Sequence, residues 1–399
     1  MFRAFRNRNY ALYFAGQSVS QIGTWMQRTA VSWVIYTLTH SPFMLGLAVF
    51  SQQFPSFLFS LFGGIVADRH SRYKILLFTQ TASMIQAVLL AALILTHHYV
   101  IWEILALSVV LGIINAFDVP ARQPMIHEMV NDKEDIANAL AFNSAMVNLA
   151  RLVGPALSGI VLQVFGAGVC FSLNALSFVA VIGALLLMRF PPFQPPAQKK
   201  KVIHELEEGF VYLKQTRIIG VILLLLMTLS LFVLPYDTTI PVFAKVIFKG
   251  NAATFGYISS FMGAGAILGS FFLASAKKGA NLVLVLLGGI AILGVGLIFF
   301  SQMGHFGYAM PFAVLVGFGS LMPMTACITI IQMEAAANMR GRVMSYIAMA
   351  YFGMLPLGSL LTGGVSQKIG APNTMLCQGI IALLCAAFFW KLLTKHKPT

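Results

Sequence analysis

Acidic residues are scarce in this chain: 12 Asp and Glu stand against 26 Lys and Arg in 399 residues. Charged residues of both signs make up only 10%, where a soluble domain carries about 25%. With 58% hydrophobic residues and a mean hydropathy of +0.84, a soluble globular fold is excluded. Cysteine is nearly missing. Cys170, Cys327, Cys377 and Cys385 all lie in apolar stretches without CxxC spacing or a neighbouring histidine cluster, so neither a disulfide framework nor a metal site is expected. No glycine-rich nucleotide loop is present, and the eight histidines sit in loops, tails or span ends, which disfavours an enzyme and any cofactor. The net charge of +14 has no soluble basic domain to carry it, so a nucleic-acid partner is not expected. Runs such as "VILLLLMTLSLFVL" do not alternate apolar and polar residues, which rules out a membrane barrel.

What remains is a set of apolar runs, each near the roughly 20 residues that a helix needs to cross hydrocarbon. Punctuation by charge, proline and glycine predicts an all-α integral membrane protein with twelve spans, at 10–38, 42–67, 73–96, 101–121, 136–165, 168–189, 217–247, 253–276, 281–301, 307–332, 342–367 and 372–393. The basic start "MFRAFRNRN" runs into an apolar segment too long for a cleavable signal, so it reads as a retained first span. Twenty-one of the 26 Lys and Arg fall on the side of the termini, three on the opposite side, and Arg28 and Arg151 inside spans. Positive charge stays inside, so both termini are expected in the cytoplasm of a bacterial-type plasma or inner membrane, with lipid as the surrounding partner.

The chain divides into residues 1–190, a Pro-rich then charged linker with a short amphipathic helix at 191–216, and residues 217–399. A shift of 204 positions overlays Gly154 on Gly358, Gly159 on Gly363, Gln163 on Gln367, Gly166 on Gly370 and Ala167 on Ala371. Such identities suggest duplication into two pseudo-symmetric six-helix bundles, a hallmark of secondary transporters.

Between spans two and three stands "GGIVADRHSRYK". With the twelve spans and the six-plus-six repeat, this stretch resembles the major facilitator superfamily, whose loop there reads G-x-x-x-D-R/K-x-G-R-R/K. Gly64, Asp68, Arg69 and Arg72 match; Ser71 and Tyr73 depart from it. The resemblance implies a conformational latch, in which Asp68 pairs with an arginine such as Arg122 or with the start of span eleven near Gly341. "RLVGPALSG" resembles the superfamily's antiporter motif on span five, with Gly154, Pro155 and Gly159 in place and Ser158 where a glycine is usual. "NRNYALYFAGQSVSQIGTWMQR", "DVPARQPMI" and "MRGRVMS" are similar to the drug:proton antiporters that include macrolide efflux pumps and the enterobactin exporter. That resemblance implies proton-coupled export of an amphipathic small molecule, by a chain that acts as a monomer. A lysophospholipid substrate is the alternative within transport, and a non-transporting receptor or scaffold the alternative outside it.

Ionisable groups at membrane depth are costly and are candidates for function. Span one carries Gln17, Gln21, Thr24, Arg28 and Ser32 at helical spacing, and span five carries Ser144, Asn148 and Arg151. Gln21, Arg28, Gln52, Asn148, Arg151 and Tyr346 are therefore candidate substrate contacts, in a cavity whose two arginines favour an anionic compound. Asp118, with Arg122, and Asp237, in "LPYDTTIP", are candidate proton carriers or gates. Pro235 and Pro241 should disrupt the helix around Asp237, which is expected to pair with Arg28 and to release it when protonated.

Overall fold

In hydrocarbon a backbone must close its own hydrogen bonds, and an apolar run does so as a helix. The computed structural model describes residues 3–97, 100–130, 132–190, 208, 210–213, 215–275, 281–336 and 339–394, and among them there is no strand. The long helices are α1 (Arg8–Thr39), α2 (Pro42–Arg69), α3 (Arg72–Leu95), α4 (Ile101–Glu128), α5 (Lys133–Val164), α6 (Ala167–Leu187), α7 (Arg217–Phe232), α8 (Ala252–Ala274), α9 (Leu282–Gln302), α10 (Phe306–Glu334), α11 (Arg340–Ile369) and α12 (Ala371–Thr394). Among the described residues, eleven helices are long and apolar enough to cross a membrane, counting α7 with its continuation to Ile247 as one. The chain is a multi-pass membrane protein. With 32 residues α1 has the length, but its polar residues keep it out of that set. Most of the expected linker, 191–216, lies outside the described residues.

Prolines shape two spans differently. α4 was expected to stop at 121, yet it runs through Pro120 and Pro124 to Glu128. Pro120 leaves the Ala116 carbonyl without its helical donor, and α2 covers that point closely: a Cβ at Gly63 would collide with the Ala116 oxygen. After α7 the expected disruption occurs. The chain passes into a 3-10 turn at Leu234–Thr239, one α turn at Ile240–Val242 and a π turn at Phe243–Ile247.

Two compact units result, one of Met1–His40, Ser51–Gln198 and Gly250–Ser260, the other of Ser41–Phe50, Lys199–Lys249 and Phe261–Thr399. Close helix crossings recur inside them. In the first unit Gly112 lies against the Gln52 carbonyl; a Cβ at Gly154 would stand 3.2 Å from the Ile22 oxygen, and one at Gly159 2.8 Å from the Ala252 oxygen. In the second, Gly317 lies against the Met262 carbonyl, and Cβ atoms at Gly358 and Gly363 would stand 2.5 Å from the Leu231 oxygen and 2.6 Å from the Pro42 oxygen. Backbones this close leave no room for a larger residue and gain dense van der Waals contact, the usual source of helix association in lipid.

Several polar groups buried in the first unit are paired across helices. The Gln27 amide donates to Gln86 at 3.0 Å and accepts from Asn174 at 2.8 Å, while Gln86 donates to the Leu107 carbonyl at 3.1 Å. One chain of amides thus joins α1, α3, α4 and α6. At the start of the chain a 3-10 turn, Arg3–Arg6, docks through Phe5 on Tyr10, Phe14 and Phe142. Tyr10 donates to the Ala139 carbonyl at 2.8 Å and Asn9 to that of Arg189 at 2.8 Å, which explains the aromatic and amide residues of "NRNYALYF".

Candidate functional site

The polar residues of α1 divide between two faces. Gln27 is 3% exposed and turns into the bundle, while Gln17, about three turns before Arg28 on the same stripe, is likewise 3% exposed. Gln21, Trp25 and Arg28 are half-buried. Gly154 of α5 approaches this face so closely that a Cβ there would lie 2.5 Å from the Trp25 Cβ. Pro155 follows, and Ser158 donates to the Met26 carbonyl at 2.9 Å, so the hydroxyl that replaces a glycine of the family pattern ties α5 to α1. The crossing brings Arg151 to the indole already covered by Arg28: the guanidinium carbons stand 5.9 and 5.3 Å from the Trp25 ring centroid. Both are within cation–π range. Asn148, one turn before Arg151, is also half-buried, as is Gln52 on α2.

Asp118 is 4% exposed and fully engaged. One oxygen accepts from Thr79 at 2.9 Å and Gln80 at 2.8 Å, both on α3, and the other lies 3.0 Å from an Arg122 nitrogen one turn along α4. A buried carboxylate is tolerated only with such a set of donors. Arg122 is therefore held by Asp118 rather than by Asp68. In the loop motif, Asp68 is 75% exposed and its ion pair is with Arg72, at 4.0 Å. Arg72 makes a much closer pair, 2.5 Å, with Glu128 at the end of α4. Arg69 is exposed, and the space beside Gly64 is open, so in this stretch Gly63 is the glycine that permits close packing.

A model of transmembrane secretion effectors matches residues 1–397. The chain belongs to that family, within the major facilitator superfamily. The transporter is 26% identical over 395 residues to the staphyloferrin A transporter of Staphylococcus aureus (strain NCTC 8325 / PS 47), covering 96% of both chains. It is 23% identical over 392 residues to macrolide efflux protein A of Streptococcus pyogenes, covering 94% and 93%, and 25% identical over 365 residues to the enterobactin exporter of Shigella boydii serotype 4 (strain Sb227), covering 89% and 85%. Its fold is similar to that of a bacterial homolog of the human lysosomal transporter Spinster in an inward-facing, unoccupied conformation, with a TM-score of 0.75, 14% identity and full coverage of both chains.

In the transporter's second unit Asp237 is exposed on the 3-10 turn after α7, and Tyr346 is half-buried on α11. The step along the chain that takes Ile22, the neighbour of Gly154, to Leu231, the neighbour of Gly358, also takes Arg28 to Asp237. Sequence reasoning missed three features: the amide chain through Gln27, the pair of Arg342 with Glu208, and the hydrogen bond from the Ala336 N–H to the Tyr212 hydroxyl at 3.1 Å. Glu208 and Tyr212 precede α7, and the charged part of "KKKVIHELEEGFVYLK" was the signal for such anchoring.

Proposed function

We propose that this transporter is a proton-coupled exporter of amphipathic small molecules working by alternating access. It sits in a bacterial-type inner membrane with α1 as the twelfth span, both termini in the cytoplasm, and acts as a monomer. The observation that carries the reading is the repeated pair of crossings, Gly159 on the Ala252 carbonyl and Gly363 on the Pro42 carbonyl. Each joins a helix of one sequence half to a helix of the other at matching positions of the repeat. Contacts made by backbone and glycine hold without interlocked side chains, so they can part and re-form as a two-state element. The direction is supported by relatives named for efflux of macrolides and export of enterobactin.

Of the two acids, Asp237 suits proton coupling better. It is exposed on a bend where two prolines interrupt regular helix, whereas Asp118 is sealed among three donors and anchors α3 to α4. The test is accumulation of a macrolide and a catechol siderophore in energised inverted vesicles. Accumulation should collapse with a protonophore and be lost in Asp237→Asn. Full protonophore-sensitive transport by Asp237→Asn would falsify the coupling role, and accumulation indifferent to the protonophore would end the proton-driven reading.

A further inference from the structure

Arg151 stands near the middle of the 32-residue α5, half-buried, and among the described residues no carboxylate pairs with it and no acceptor takes its protons. Its neighbour is the Trp25 indole, 5.9 Å from guanidinium carbon to ring centroid. A guanidinium at this depth is costly, and an indole face offsets only part of the cost. The groups around it point one way. Arg28 lies over the same ring at 5.3 Å. Gln21, one turn before Trp25, and Asn148, one turn before Arg151, are half-buried amides whose side chains make no hydrogen bond among the described residues. Asp118, the acid inside a span of this unit, is already taken by Arg122, Thr79 and Gln80. The face therefore offers hydrogen-bond donors and an aromatic surface. Gly154 fixes the indole and Ser158 fixes the crossing, so the arrangement is built into the fold.

We propose that Arg151 on the face of Trp25 is the recognition site for a carboxylate of the transported compound, with Arg28, Gln21 and Asn148 as further polar contacts and the compound's apolar body along the indole edge. The guanidinium fork matches a carboxylate with two parallel hydrogen bonds, which a lysine cannot reproduce. The word "transported" rests on the export reading above; the binding site does not.

The experiment measures binding to the full chain in nanodiscs of zwitterionic lipid, by calorimetry. The probes are a panel of apolar di- and tricarboxylates, their methyl esters, and a lipophilic dye cation. The expected result is that acids bind and esters and the cation do not, with Arg151→Ala weakening the acids about tenfold or more. Arg151→Lys should fall between, keeping the charge and losing the fork, and it serves if the alanine variant does not fold. Equal binding of acids and esters, an unaffected Arg151→Ala, or no binding by any acid overturns the proposal. Repeating the titration in nanodiscs containing phosphatidylglycerol separates the two sources of an anion. Loss of acid binding there would assign Arg151 to a lipid headgroup and overturn the substrate role; unchanged binding supports it. Arg151-dependent binding without vesicle accumulation would sink the export reading and leave the site. Macrolide transport unchanged in Arg151→Ala, with no acid bound, would do the reverse.

Discussion

The two halves of the chain are packed alike and furnished differently. Gly112 on Gln52, Gly154 on Ile22 and Gly159 on Ala252 are matched by Gly317 on Met262, Gly358 on Leu231 and Gly363 on Pro42. Yet the step that takes Gly112 to Gly317 takes Asp118 to Pro323 and Arg122 to Cys327. The first half buries a charged pair and a four-helix chain of amides, all with partners. In the second, Gln378 donates to Thr362 at 3.0 Å, but its own oxygen and the hydroxyls of Ser230, Thr238 and Ser366 are buried without hydrogen bonds, whereas among the described residues of the first half this holds for the Gln80 oxygen and the Arg72 Nε. Backbone crossings survive divergence because any side chain at a crossing glycine collides. Polar networks need every member at once, so they persist in one copy or vanish from it.

That contrast can be broken most severely at Asp118. Asp118→Ala strands Arg122 and two donors, and should destabilise the purified protein by about 3–5 kcal/mol, read as a large drop in the thermal midpoint in detergent. No change at the equivalent Pro323→Ala is expected to approach it. A smaller and symmetric effect should follow Gly112→Val and Gly317→Val, each costing about 1–3 kcal/mol or more by overpacking. If one is tolerated and the other is not, the shared geometry hides unequal energetics. Least of all, Asp68→Asn should leave the midpoint unchanged, because an exposed pair at 4.0 Å contributes little. A transport rate also unchanged in that variant would remove Asp68 from the conformational cycle.

Much of the fold was legible because helix in lipid is forced: where apolar runs of sufficient length stood between charges, helices stand now. α4 outlasted its expected end because a proline inside a membrane helix can bend it without ending it, and the close approach of α2 at Gly63 to the Ala116 carbonyl comes from a helix distant in sequence. The polar stripe of Gln17, Gln21 and Arg28 on α1 could be seen, but periodicity could not say that Gln27, off that stripe, would be the amide that meets three other helices. Arg28 and Arg151 could be named as costly cations. That they share one indole depends on how far α5 approaches α1.

The membrane class, most of the helices long and apolar enough to cross, and the residue types available for function were all readable from the chain alone, since they follow from transfer free energies summed along it. The tertiary structure decided which of those residues meet. Gly154 against Trp25, Asp118 between α3 and α4, and Gln27 among three neighbouring helices are matters of distance between segments, and hydrogen bonds and cation–π contacts fall away within a few ångströms.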